Sequence, residues 1–116
     1  MSHIAIEPLR AGIELFNRHE FFECHEVLEE AWTQEQGPRR LFLQALIHLA
    51  VGFYHQERGN STGAAGQLRK ALNKLGAYLP YCDGIDTARL YRDAEIALKH
   101  IEDGDGRVEF PRIHMS

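Results

Sequence analysis

A histidine and two glutamates near position 25 have a spacing that suits metal chemistry. In residues 25–29 (HEVLE) the histidine and the last glutamate stand four positions apart, so a helix places both on one face. Two ligands at this spacing can reach one ion, as in the H-E-x-x-H helix of zinc proteases, with Glu29 replacing the second histidine. Glu26 stands where the general base of such an enzyme stands. The run predicts His25 and Glu29 as metal ligands and Glu26 as a catalytic residue.

The next apolar segment, over about residues 38–58, carries further donor groups. At 100° per residue, one stripe of a helix over this segment holds three polar residues: Gln44, His48 and His55. Two buried helices with polar stripes should turn them toward each other, because an unpaired buried polar group costs roughly 1–3 kcal/mol. His48 or His55 is then a further ligand for zinc, manganese or iron. An open coordination position remains for water.

Two other interpretations of the same residues are open. The first is a buried hydrogen-bond network, in which His25 and Glu29 pair while Trp32, Gln44 and His55 join them and fix the helix register. The second is a metal-free pocket for a small anionic or polar ligand. In the metal interpretation, Trp32 and Gln44 are supporting residues.

Apolar residues at three- and four-residue spacing predict the helices that must position these groups. We predict five helices, over about 8–17, 20–34, 38–58, 61–79 and 86–103, with the third apolar nearly all round and therefore central. Ser61 and Asp86 are predicted caps, and Gly104 ends the fifth helix. The predicted fold is an all-α compact bundle built on two antiparallel helical hairpins.

Length and composition limit the class of protein. The chain has 116 residues, of which 44% are hydrophobic, and a net charge of −4. These values predict a single domain over 1–116, with a helical core at about 8–103 and a tail over 104–116 that packs back on it. The charge argues against a nucleic-acid partner. The longest apolar stretch, over 41–54, is too short to cross a membrane.

Location and assembly are predicted from the same sequence. The N-terminus shows no signal-peptide pattern, and two cysteines make no disulfide framework. We therefore expect a cytoplasmic protein. A small molecule is the expected ligand of its polar cluster. An apolar excess around Phe42, Phe53 and Tyr54 predicts self-association into a homo-oligomer.

Residues 16–32 (FNRHEFFECHEVLEEAW) resemble the motif of domain-of-unknown-function family 309. A segment like residues 43–50 follows that motif in the family, and the resemblance extends over about residues 8–103. Members are small all-helical domains that are often labelled predicted metal-dependent hydrolases, so the resemblance implies such an activity. The characteristic residues of the family fall on His25, Glu26, Glu29, Trp32 and Gln44. The chain departs from the family in having His19 where glycine is usual, and His48 is an extra potential ligand.

A weak internal repeat supports an alternative function. A shift of forty positions aligns Cys24 with Ala64 and Leu28 with Leu68, as in two hairpins of the tetratricopeptide kind. The alternative is a non-enzymatic helical binding or scaffold module, in which the polar cluster only locks the core.

Overall fold

Five α-helices make up most of residues 6–115, the part of the chain that the computed structural model describes. Their bounds are α1 (Ile6–Asn17), α2 (Phe21–Gln34), α3 (Arg40–Glu57), α4 (Ser61–Leu75) and α5 (Thr87–Asp103). A 3₁₀ turn (Gly76–Tyr78) and a two-stranded hairpin, β1 (Tyr81–Cys82) and β2 (Ile85–Asp86), connect α4 to α5. This architecture confirms the predicted all-α bundle of five helices.

The helix ends follow from local chemistry. His19 joins α1 to α2 with a φ of +62°, so the histidine adopts the left-handed conformation that suits glycine at this turn. Asp86 caps α5 by accepting a hydrogen bond from the Arg89 amide at 3.0 Å, and Gly104 ends that helix with a φ of +64°. The predicted cap at Ser61 is wrong. Asn60 is the cap, and its side-chain oxygen accepts from the Gly63 amide at 2.9 Å.

The predicted fourth helix is too long by about one turn. In the structure, α4 ends at Leu75 and is followed by the 3₁₀ turn. Leu79 is then extended, with a ψ of 153°. The residue before a proline avoids the helical conformation, and Pro80 follows Leu79. Proline therefore ends the helical region earlier than the leucine spacing suggests.

Each helix packs mainly against the helices next to it in the sequence. α3 lies between α2 and α4, and its buried side chains include Phe42 and Phe53, which have no exposed surface. These two phenylalanines therefore belong to the core, whereas Tyr54 is partly buried. No helix within residues 6–115 is long and apolar enough to cross a membrane.

The C-terminal tail returns to the helical body, as predicted. Asn17 holds it in both directions, donating to the Ile113 carbonyl at 3.0 Å and accepting from the Ile113 amide at 2.7 Å. Further along, the Asp86 amide donates to the carbonyl of His114 at 2.8 Å. The tail thus runs back beside α5 to the start of that helix.

Candidate functional site

The structure brings His25 and Glu29 together on α2. The imidazole Nε2 lies 3.1 Å from the Glu29 Oε2, within hydrogen-bond distance. The His25 side chain is 26% exposed and that of Glu29 is 54% exposed. The pair is therefore accessible to a ligand from solvent.

The position of His25 corrects the expectation that the polar stripe of α2 is buried and faces that of α3. The buried residues of α2 are Phe21, Cys24, Leu28 and Ala31. On the helical wheel the centre of these four lies about 80° from His25 and about 120° from Glu29. His25 therefore lies at the edge of the stripe and Glu29 outside it, so this pair does not lock the core.

Acidic side chains surround the pair. Glu26, Glu30 and Thr33 line the same shallow surface depression as His25 and Glu29. α2 contains four glutamates and no lysine or arginine, so this helix alone carries a formal charge equal to that of the whole chain, −4. A negative potential at the depression favours a cationic ligand.

His48 and His55 make contacts elsewhere. The Nδ1 of His48 lies 2.7 Å from the Gln67 Oε1 on α4. Asn60 donates to the Nδ1 of His55 at 3.4 Å, beside the start of α4. Neither histidine lines the depression around His25. Among residues 6–115, no three histidine, cysteine, aspartate or glutamate side chains are grouped closely enough to hold a metal ion.

Burial and charge act together on His48. Burial lowers the pKa of its imidazole, and the positive charges of Lys74 and Lys70 lower it further, although the hydrogen bond to Gln67 opposes them. The neutral form is therefore favoured. This environment belongs to the α3–α4 contact and not to the α2 surface.

Trp32 takes part in a different arrangement from the predicted network. The Arg40 guanidinium lies 4.0 Å from the centre of the Trp32 ring, and its Nη1 donates to the carbonyls of Trp32 at 2.9 Å and Glu35 at 2.8 Å. The indole Nε1 is buried and has no hydrogen-bond partner among the described residues. Trp32 and Arg40 thus fix the turn between α2 and α3, while Gln44 is partly buried further along α3.

Cys24, the neighbour of His25, is a core residue. Its side chain has no exposed surface, and its thiol donates to the Gly12 carbonyl at 3.2 Å. Burial raises the pKa of this thiol to about 12. A protonated thiol facing α1 offers no ligand to a metal on the outer side of α2.

The spacing of the two donor atoms suits a common metal ion. Nitrogen and oxygen ligands lie about 2.0–2.2 Å from zinc. At bond angles between octahedral and tetrahedral values, two such donors are roughly 2.8–3.6 Å apart. The 3.1 Å between His25 Nε2 and Glu29 Oε2 lies within this range.

An exposed aromatic side chain, that of Phe22, lies beside His25. Phe22 is 46% exposed, and its ring centre is 5.8 Å from that of His25 and 5.5 Å from that of Tyr54. This exposed ring links the surface of α2 to that of α3. A ligand at His25 would therefore meet an apolar edge beside the carboxylates.

Comparison with known proteins gives two matches. A family model described as "Domain of unknown function (DUF309)" matches residues 9–67, which include His25 and Glu29. "Uncharacterized protein YpuF" of Bacillus subtilis (strain 168) is 31% identical over 93 residues, or 78% of this chain and 53% of the relative. The chain therefore spans about half the length of this curated relative. Neither description states an activity.

Proposed function

The chain belongs to the DUF309 family, and we propose that it acts as a small helical binding module for a divalent metal ion, held by His25 and Glu29. The observation that carries this proposal is the distance of 3.1 Å between His25 Nε2 and Glu29 Oε2, on two side chains that solvent can reach. One imidazole nitrogen and one carboxylate oxygen suit zinc, manganese or iron. Water or a small-molecule ligand fills the other positions of the ion.

The charge of α2 supports the same proposal. A divalent cation reduces the repulsion among Glu26, Glu29 and Glu30, which are near neighbours on one helix. We assign no hydrolytic step, because residues 6–115 offer two grouped ligands where a catalytic zinc site uses three. Glu26 lies in the depression and remains the proposed base of any such reaction. We also propose a cytoplasmic location, which suits the free thiols of Cys24 and Cys82.

The test compares metal binding by three variants of untagged protein. Calorimetric titration with Zn²⁺, and Mn²⁺-induced broadening of amide NMR signals, should both show one site at α2 in the original chain. His25→Gln and Glu29→Gln should each weaken binding at least tenfold, equivalent to about 1.4 kcal/mol. His48→Gln is the matched control, because it also removes one imidazole but lies on α3 beside Gln67. This control should bind as the original chain does.

Thermal unfolding separates ligand binding from a structural role. Because His25 and Glu29 are accessible, His25→Gln should leave the melting temperature nearly unchanged while metal binding is weakened at least tenfold. Less than about a tenth of an equivalent of bound zinc, manganese or iron in the original chain would refute the proposal. Equal binding by the His25→Gln and His48→Gln variants would also refute it.

The exposed ring of Phe22 favours a second candidate function, a helical scaffold or protein-binding module. Its position beside Tyr54 gives α2 and α3 a shared aromatic surface. The packing of each helix on its neighbours in sequence is also typical of hairpin repeats. An original chain that binds no metal and a His25→Gln variant of full stability would together favour this candidate.

A further inference from the structure

A cleft separates the outer face of α5 from the returning tail. Four residues at helical spacing line it from α5: Arg89, Asp93, Ile96 and His100. The tail is held near both ends of the cleft. His100 Nδ1 lies 2.7 Å from the Asp105 carboxylate at one end, and the carbonyl of His114 accepts from the Asp86 amide at the other. The cleft encloses about 530 Å³, a volume typical of small-molecule sites.

Basic residues outnumber acidic ones along this cleft. It is lined by three arginines, two histidines and two acids: Arg89, Arg107, Arg112, His100, His114, Asp93 and Glu109. Within residues 6–115, neither Arg89 nor Arg112 has a carboxylate oxygen within 4.0 Å of its side-chain nitrogens. Two guanidinium groups are therefore available to an incoming anion.

The basic residues concentrate at the end of the cleft near β2. Arg89 lies in the first turn of α5, and the tail brings Arg112 and His114 to the same end. Among the described residues, the Arg112 side chain donates only to the Asn17 carbonyl, at 3.4 Å. The nearby Asp86 carboxylate already accepts from the Arg89 amide as the cap of α5. A guanidinium group can donate two parallel hydrogen bonds to the oxygens of a phosphate or carboxylate group. This end of the cleft therefore suits an oxyanion.

The middle of the cleft is apolar. Ile96 is 50% exposed, and Phe110 and Pro111 line the opposite side from the tail. Phe110 is also fixed against the core, with its ring centre 5.2 Å from that of Phe21. An apolar or ring-shaped part of a ligand can therefore lie beside the charged end.

We propose that the cleft between α5 and the tail binds a small organic anion, with its phosphate or carboxylate group held by Arg89 and Arg112. The apolar part of the ligand packs on Ile96 and Phe110. This site takes a ligand of opposite charge to the one proposed for α2. It contains none of the residues around His25, so either site can fail its test while the other passes.

NMR titration of the ¹⁵N-labelled chain tests this inference, with phenyl phosphate and benzoate as probes at constant ionic strength. Phenyl phosphate should cause saturable amide shifts confined to α5 and residues 107–114. Benzoate should shift the same signals if the site accepts carboxylates, and tighter binding of one probe identifies the preferred oxyanion. The double variant Arg89→Gln/Arg112→Gln should bind the preferred probe at least tenfold more weakly.

Arg10→Gln/Lys70→Gln is the matched control, because it removes the same charge from exposed residues of α1 and α4 that do not line the cleft. It should bind within twofold of the original chain. Non-saturable shifts spread over all exposed arginines, or equal weakening by both double variants, would refute the proposed site. Unchanged melting temperatures would show that both variants remain folded.

Discussion

Replacing Gly12 by alanine should destabilise this domain, although alanine is the better helix former. Gly12 is buried where α1 crosses α2. A β-carbon at this position would lie 2.5 Å from Leu28 Cδ2 and 2.8 Å from Leu28 Cγ. Carbon atoms pack at about 3.5–4.0 Å. Leu28 is 1% exposed, so its side chain has little room to move away.

The expected magnitude is the difference between two opposing effects. Alanine gains roughly 0.5–1 kcal/mol over glycine inside a helix. Overpacking of a buried site costs typically about 1–3 kcal/mol. We therefore expect Gly12→Ala to lower the free energy of unfolding by about 1 kcal/mol, which lowers the melting temperature by about 4 °C in a domain of this size.

Gly66 provides the matched control for this substitution. It lies inside α4, and a β-carbon there would meet no atom within 4 Å. Gly66→Ala should therefore raise the free energy of unfolding by the helical gain alone, about 0.5–1 kcal/mol. Urea unfolding followed by circular dichroism measures both variants. The two substitutions should shift the midpoint in opposite directions.

A double-mutant cycle identifies the clash as the cause. Leu28→Ala alone should cost about 2–5 kcal/mol through the cavity it creates, but it also removes the atoms that a β-carbon at Gly12 would strike. Gly12→Ala should then be neutral or stabilising in the Leu28→Ala background, with a coupling of about 1 kcal/mol or more. A Gly12→Ala variant at least as stable as the original chain would refute the reasoning.

Two further predictions concern a cap and a histidine. Asn60→Ala should lower the free energy of unfolding by about 1 kcal/mol, because it removes the cap of α4. Ser61→Ala should change this free energy little. If urea unfolding shows Ser61→Ala to be the more destabilising of the two, the assignment of the cap to Asn60 is refuted. Because the pKa of His48 is lowered in the folded state, the unfolded chain binds its proton more readily, and stability should fall as the pH drops through about 6.5 and below. His48→Gln should reduce this loss between pH 8 and pH 5.5, and urea midpoints that change with pH equally in both chains would contradict it.

Helical periodicity and local rules are enough to predict much of this fold. The apolar residues of α3 predict a central helix, and Asp86 and Gly104 predict the two ends of α5. The left-handed turn at His19 is indicated by the resemblance, because the family usually has glycine at this position. These features depend on contacts between residues close in sequence, so the sequence contains the necessary information.

The direction of each polar side chain on a central helix is harder to predict. α3 has neighbours on two sides, so a position on its polar stripe does not say whether a residue meets α2 or α4. The hydrogen bond to Gln67 turns His48 toward α4, whereas the prediction left open whether His48 or His55 faces His25. The Arg40–Trp32 contact depends on the turn between α2 and α3, and its only sign in the sequence is an arginine eight positions after a tryptophan.

The distribution of charge explains why one small domain offers two surfaces of opposite character. Since α2 carries a charge of −4 and the whole chain carries the same, the acidic and basic residues outside α2 balance in number. Any excess of positive charge elsewhere must therefore arise from placement. The tail supplies that placement by bringing Arg112 and His114 to the end of the cleft that holds Arg89, and Arg107 to the opposite end. The cationic cleft therefore depends on the tail, whereas His25 and Glu29 both lie on α2 and line a separate depression.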